Sequence, residues 1–168
     1  MLKLLLRSLQ RNPVLTGKIN VSFSCMPDNS HTGDDGHWIV DRTASLRFWK
    51  KPRKVWVMLD LCENELFPTH YTLRNCSGSG SGRYPLRSWK VLAARNASDN
   101  NWVEIASEEE DETLPGEQRA VASWPVKQGV SSCYRYFKLI QTGPTARDGA
   151  MLGLSGWELY GTLCKREF

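Results

Sequence analysis

Apolar residues along this chain recur mostly with a period of two, the spacing at which successive side chains of a strand point to opposite faces. In Lys18-Ile-Asn-Val-Ser-Phe-Ser-Cys25, Ile19, Val21, Phe23 and Cys25 alternate with polar positions, which predicts a half-buried strand. Lys54-Val-Trp-Val-Met-Leu-Asp-Leu61 is apolar at nearly every position from Val55 to Leu59, so a central strand covered on both faces is expected there. Alternation returns in Thr69-His-Tyr-Thr-Leu-Arg74 and Arg87-Ser-Trp-Lys-Val-Leu-Ala-Ala94. Ser98-Asp-Asn-Asn101 predicts a turn into Trp102-Val-Glu-Ile105. Ala120-Val-Ala-Ser-Trp-Pro-Val126, Tyr134-Arg-Tyr-Phe-Lys-Leu-Ile-Gln141 and residues 151–163 follow. Together these make about eight strands at intervals of roughly 10 to 20 residues, which predicts an all-β, antiparallel β-sandwich with loops at its two ends.

Three stretches lack any apolar period and are where a ligand is expected to bind. Residues 26–37 are polar and include Asp34, Asp35 and His37. The two acids could lend oxygen ligands to calcium or form a solvated turn, and no metal or cofactor is expected. Arg47-Phe48-Trp49-Lys50-Lys51-Pro52-Arg53 interleaves aromatics with cations. Such a loop can stack on a sugar ring, engage an acidic peptide, touch a membrane surface or grip a nucleic-acid strand. Alternation sets Phe48 toward the core and Trp49 toward solvent, or both inward with a basic rim left outside. Residues 75–83 are a Gly-Ser run ending at Arg83, without the Gly-Lys-Ser/Thr ending of a phosphate cradle. Candidate ligand-binding residues are therefore His37, Arg47, Trp49, Lys50, Arg53 and Arg83 from these loops, with His70 and Arg74 from the strand between them.

Length and composition add limits. The chain has 168 residues, 40% of them hydrophobic and seven of them tryptophan, enough for one domain with its own core. Residues 1–16 are expected to form an extension or short helix, and 17–165 the sandwich. Residues 1–11 are leucine-rich but too short and too charged to insert into a membrane. The formal charge of +4, from 22 basic and 18 acidic residues, gives no ground to expect a nucleic-acid partner. Its distribution is uneven: residues 108–112 are all acidic, and the stretch 107–116 around them is expected to form a solvated loop. Five scattered cysteines without a C-x-x-C pair favour reduced thiols in an intracellular, cytoplasmic protein. Sequons at Asn20, Asn75 and Asn96 would matter only in a secreted chain.

Four segments, read together, carry a resemblance. They are Trp56-Val-Met-Leu-Asp60-Leu, His70-Tyr-Thr-Leu-Arg74, Tyr84-Pro-Leu-Arg87-Ser-Trp89-Lys-Val, and Tyr136-Phe-Lys-Leu-Ile-Gln-Thr-Gly143 followed by Gly156-Trp-Glu-Leu-Tyr-Gly161. In this order they resemble the galactose-binding-like, discoidin or coagulation-factor C-type domains over residues 17–163. The likeness is greatest to the intracellular branch found beside HECT-type ubiquitin ligases and in BTB-domain proteins. The resemblance implies a jelly roll used as an interaction module of a larger protein, with a protein or peptide partner, or alternatively a glycan. In secreted relatives a disulfide joins the chain ends, which here would involve the neighbourhoods of Cys25 and Cys164.

Within Trp157-Glu-Leu-Tyr160, alternation puts Trp157 and Leu159 on one face and Glu158 and Tyr160 on the other. Glu158 is then either solvated or paired with a buried cation. Arg74 and Arg87 are expected to find carboxylate partners, Asp60 or Glu158 for Arg74, with ligand contact as the other role of Arg74. No nucleophile elbow, zinc-protease helix, P-loop or dinucleotide fingerprint occurs, so no enzyme is expected.

Overall fold

The computed structural model describes residues 12–24, 39–40, 48–50, 55–75, 85–98, 101–146 and 151–164. Their strands, in chain order, are β1 (Asn20–Phe23), β2 (Phe48–Lys50), β3 (Trp56–Asp60), β4 (Glu65–Asn75), β5 (Trp89–Ala94), β6 (Val103–Glu108), β7 (Val121–Pro125), β8 (Tyr136–Gln141) and β9 (Met151–Cys164). One sheet has the order β1-β3-β8-β5-β6 and the other β2-β9-β4-β7, every pairing antiparallel. The all-β sandwich expected from periodicity is the fold observed.

The strand beyond the expected set is β2, inside the segment read from sequence as a loop. Its cause is the length of β9: Leu154 to Cys164 pair with β4, while Met151, Leu152 and Gly153 extend past it and pair with Lys50, Trp49 and Phe48. Proline is tolerated at position 68 of the long β4 because the β4–β9 register shifts between Pro68 and His70.

Alternation fills the space between the sheets. Tyr71 and Leu73 of β4, Trp157 of β9, Trp89 and Val91 of β5, and Phe137 and Leu139 of β8 are each fully buried there. The Trp89 indole N–H donates to the Tyr71 hydroxyl at 2.9 Å, which pairs the polar tips of these two rings. Trp124 stands edge-on to Trp89, with ring centroids 5.0 Å apart. Burial pushes the Tyr71 hydroxyl well above its ordinary pKa. The run from Val55 to Leu59 is an internal strand as expected, with Val57 and Leu59 in the core and Trp56 and Met58 half-buried on the other face.

Several expectations change. Asp60 is taken by Arg135, at 2.5 Å from Nε to Oδ1 and 2.8 Å from Nη2 to Oδ2, and is therefore not the partner of Arg74. Arg87 donates to the carbonyls of Asp111 and Leu114 at 2.9 and 3.0 Å instead of to a carboxylate. The acidic loop is exposed at Glu109, Glu110 and Glu112 as expected, but it is also tied down, since the Trp124 indole N–H reaches Asp111 Oδ2 at 3.2 Å and Leu114 is fully buried. Cys164 forms a disulfide with Cys133, not with the neighbourhood of Cys25, which lies outside the described residues. The start of β4 brings the two cysteines together, since Glu65 pairs with Cys164 while Leu66 bridges to Tyr134. Reduced thiols were expected throughout; Cys62 is the free cysteine among the described residues.

Candidate functional site

The outward positions of β4, β9 and β7 line up in register. His70 faces Tyr160 and Pro125, Thr72 faces Glu158 and Ser123, and Arg74 faces Gly156 and Val121. Because core residues occupy the alternate positions, these side chains share the outer face of the four-stranded sheet.

His70 and Tyr160 stack almost parallel, with centroids 4.4 Å apart and planes at 4°. Thr69 ties the pair down: its hydroxyl lies 3.0 Å from His70 Nδ1 and 3.2 Å from the Tyr160 carbonyl oxygen. The Tyr160 hydroxyl donates to Glu158 Oε2. In the next row the Thr72 and Ser123 hydroxyls are 2.6 Å apart. Arg74 then lies along β9, its Nε donating to Ser155 Oγ at 3.1 Å and its Nη2 to the Ser155 carbonyl at 2.6 Å. Gly156 makes room for it, since a Cβ there would come within 3.0 Å of Arg74 Nε. A cavity of about 300 Å³ opens between this face and Ile39 and Val40. The arrangement puts a flat ring pair, a guanidinium, a carboxylate and two hydroxyls side by side, which suits reversible recognition of a polar ligand.

Of the residues singled out from sequence, the structure brings His70 and Arg74 together on this face. Trp49 and Lys50 lie in β2, beside β9 in the same sheet, and their side chains are outside the described set. His37, Arg47, Arg53 and Arg83 also lie outside the described residues, as do Asp34 and Asp35. Sequence reading recognised the alternation of Glu158 and Tyr160 but assigned neither to a site. Thr72 and Ser123 were missed, although both occupy outward positions of recognisable strands.

A wider cleft, about 650 Å³, lies where β5 begins and β6 and β8 end, lined among others by Arg87, Lys90, Glu108, Glu110 and Thr145. Burial, and then the charge of Asp111, raise the Glu108 carboxyl above the usual carboxylate range. Among the described residues, the lining of this cleft contains no aromatic ring on which a ligand could stack. Among the described residues, no three His, Cys, Asp or Glu side chains gather as a metal site, and no helix is long and apolar enough to cross a membrane.

No family model matches the chain. An E3 ubiquitin-protein ligase from Caenorhabditis elegans is 29% identical over 140 residues, which cover 82% of this chain and 4% of that protein. A BTB/POZ domain-containing protein from Arabidopsis thaliana is 29% identical over 143 residues, 80% of this chain and 16% of that one. The chain thus spans only a small part of these relatives. Among solved structures, a CBM32 module from Clostridium perfringens in complex with GalNAc-β-1,3-galactose has a TM-score of 0.63 at 12% identity, covering 89% of this chain and 99% of the module. A Streptococcus pneumoniae fucose binding module has a TM-score of 0.57 at 17% identity, covering 84% and 90%. Likeness at this level fixes the fold, which is the galactose-binding-like, discoidin-type sandwich.

Proposed function

We propose that this galactose-binding-like sandwich is a non-catalytic binding module whose four-stranded face takes a glycan. The observation that carries the reading is the parallel His70–Tyr160 stack set beside Arg74, Glu158, Thr72 and Ser123. A pyranose offers an apolar C–H face and a rim of hydroxyls that both donate and accept. The ring pair suits the first, and the guanidinium, carboxylate and hydroxyls suit the second. The GalNAc-β-1,3-galactose complex and the fucose binding module among its structural neighbours support the same ligand class. Trp49, Lys50, His37, Arg47, Arg53 and Arg83 stay candidates for extending the site. On a glycan array the domain is expected to mark a restricted set of sugars, with His70→Ala losing about tenfold in affinity. Absence of any bound sugar, or binding indifferent to His70→Ala, would refute the assignment.

A second reading, recruitment of a protein or peptide inside a larger intracellular assembly, is favoured by the two curated relatives, one a ubiquitin ligase and one a BTB/POZ protein. Its compartment is tested by a thiol count on protein purified without reductant and then denatured. Five reactive thiols support a cytoplasmic chain, whereas three, with Cys133 and Cys164 protected, count against it.

A further inference from the structure

The outward face of the five-stranded sheet carries a different chemistry. Cross-strand rows run Trp56–Ile140–Lys90 and Met58–Lys138–Leu92 over β3, β8 and β5. Trp56, Met58, Leu92, Lys138 and Ile140 are all half-buried, as is Trp102 just before β6. Near the middle, the Lys138 ammonium lies 5.0 Å from the Trp56 ring centroid and 4.3 Å from that of Trp102.

Indole faces attract a cation but leave its charge uncancelled. Among the described residues no carboxylate takes up that charge. Asp60 is held by Arg135, and Glu104, at the end of the Lys138 row, is held by Lys90 and Lys127. Burial lowers the Lys138 pKa, the direction expected of an ammonium partly withdrawn from water. A charge flanked by apolar walls acts at reduced dielectric, so an incoming carboxylate gains more there than at an open surface lysine.

We propose that this face docks an acidic segment of a partner protein, which sets a carboxylate against Lys138 and aliphatic or aromatic side chains against Trp56, Met58, Leu92 and Trp102. Charge complementarity selects that occupant. A second copy of this chain meeting the face through a two-fold axis would bring Lys138 against its own equivalent, cation on cation. A glycan would set its hydroxyls against thioether, isobutyl and indole surface that offers them few partners. The surface lies on the opposite side of the sandwich from the His70–Tyr160 stack and stands independently of the glycan assignment.

The test is a peptide-display selection on the whole folded chain, with Lys138→Met as counter-target. That substitution keeps the length and apolar contacts of the side chain and removes the charge; Lys138→Gln serves as a second variant should the first lose its native circular dichroism. Selected peptides are expected to carry Asp or Glu next to aromatic or aliphatic residues. They should bind either variant about tenfold more weakly and shift the tryptophan emission of the native chain on binding. The proposal is overturned if no sequence is enriched, if enriched sequences lack acids, or if they bind the variants as well as the native protein. Displacement of the peptides by neutral galactosides would overturn it too, as would a dimer in sedimentation that Lys138→Met dissolves.

Discussion

Across β4 and β9 the outward side chains meet one another through polar contacts: His70 on Tyr160, Tyr160 to Glu158, Thr72 to Ser123, Arg74 to Ser155. Across β3 and β8 they are indole, thioether and aliphatic groups around one ammonium. Both faces cover the same aromatic core, so burial of the core does not explain the contrast. A polar array fixes hydrogen-bond directions and suits a ligand with many hydroxyls. A half-buried apolar surface rewards area and suits a partner that can cover it.

The largest effect is expected on the polar side. A Cβ at Gly161 would lie 1.9 Å from the Phe67 carbonyl oxygen, beside the register shift that positions His70. Gly161→Ala should cost about 3 kcal/mol in urea unfolding, because the backbone of β4 must move. A loss under about 1 kcal/mol would contradict the β4–β9 register. Tyr71→Phe reaches the core shared by both faces and strands the buried Trp89 N–H, at a cost of about 1 to 3 kcal/mol. A neutral result would mean that Trp89 has another acceptor.

Smaller changes separate the faces. Lys138→Met should leave stability within about 1 kcal/mol, since the lost cation–π attraction is offset by relief of the ammonium's desolvation. Because burial depresses the folded-state pKa of Lys138, the unfolded chain binds that proton more tightly. Native stability should therefore rise as pH climbs from the folded value toward that of free lysine, and Lys138→Met should flatten the rise. The least effect is expected at the rim. Hydrogen bonds from Lys127 and then Lys90 hold the Glu104 carboxyl below its usual range, so its contribution is present above the ordinary glutamate pKa and lost as pH falls through the folded value. These groups are well exposed, so Glu104→Gln should cost at most about 0.5 kcal/mol, and less in molar salt.

Much of the fold could be read from alternation, because a period of two states which side chains share a face. That was enough to put Trp157 and Leu159 inside and Glu158 and Tyr160 outside. The nearly continuous apolar run at Val55 to Leu59 predicted a strand covered on both faces, and the outward face of β3 is half-buried at Trp56 and Met58. Alternation carries no information about which strands are neighbours. Asp60 and Glu158 were therefore equal candidates for Arg74, although Asp60 lies in the other sheet beside Arg135. Cys133 pairs with Cys164 only because β4 begins between them, and Lys138 meets Trp56 and Trp102 only through the order β3-β8-β5-β6. Glycine positions were likewise visible in sequence, but that Gly156 leaves space for a guanidinium depends on its register with Arg74.

The most direct measurement is a backbone-amide NMR titration of the labelled domain with a sugar selected on the array. The account predicts saturable shifts in Thr69, His70, Thr72, Arg74, Glu158 and Tyr160, with Trp56, Lys138 and Trp102 unmoved. Shifts confined to the Trp56–Lys138–Trp102 face, or absent on both, would contradict it.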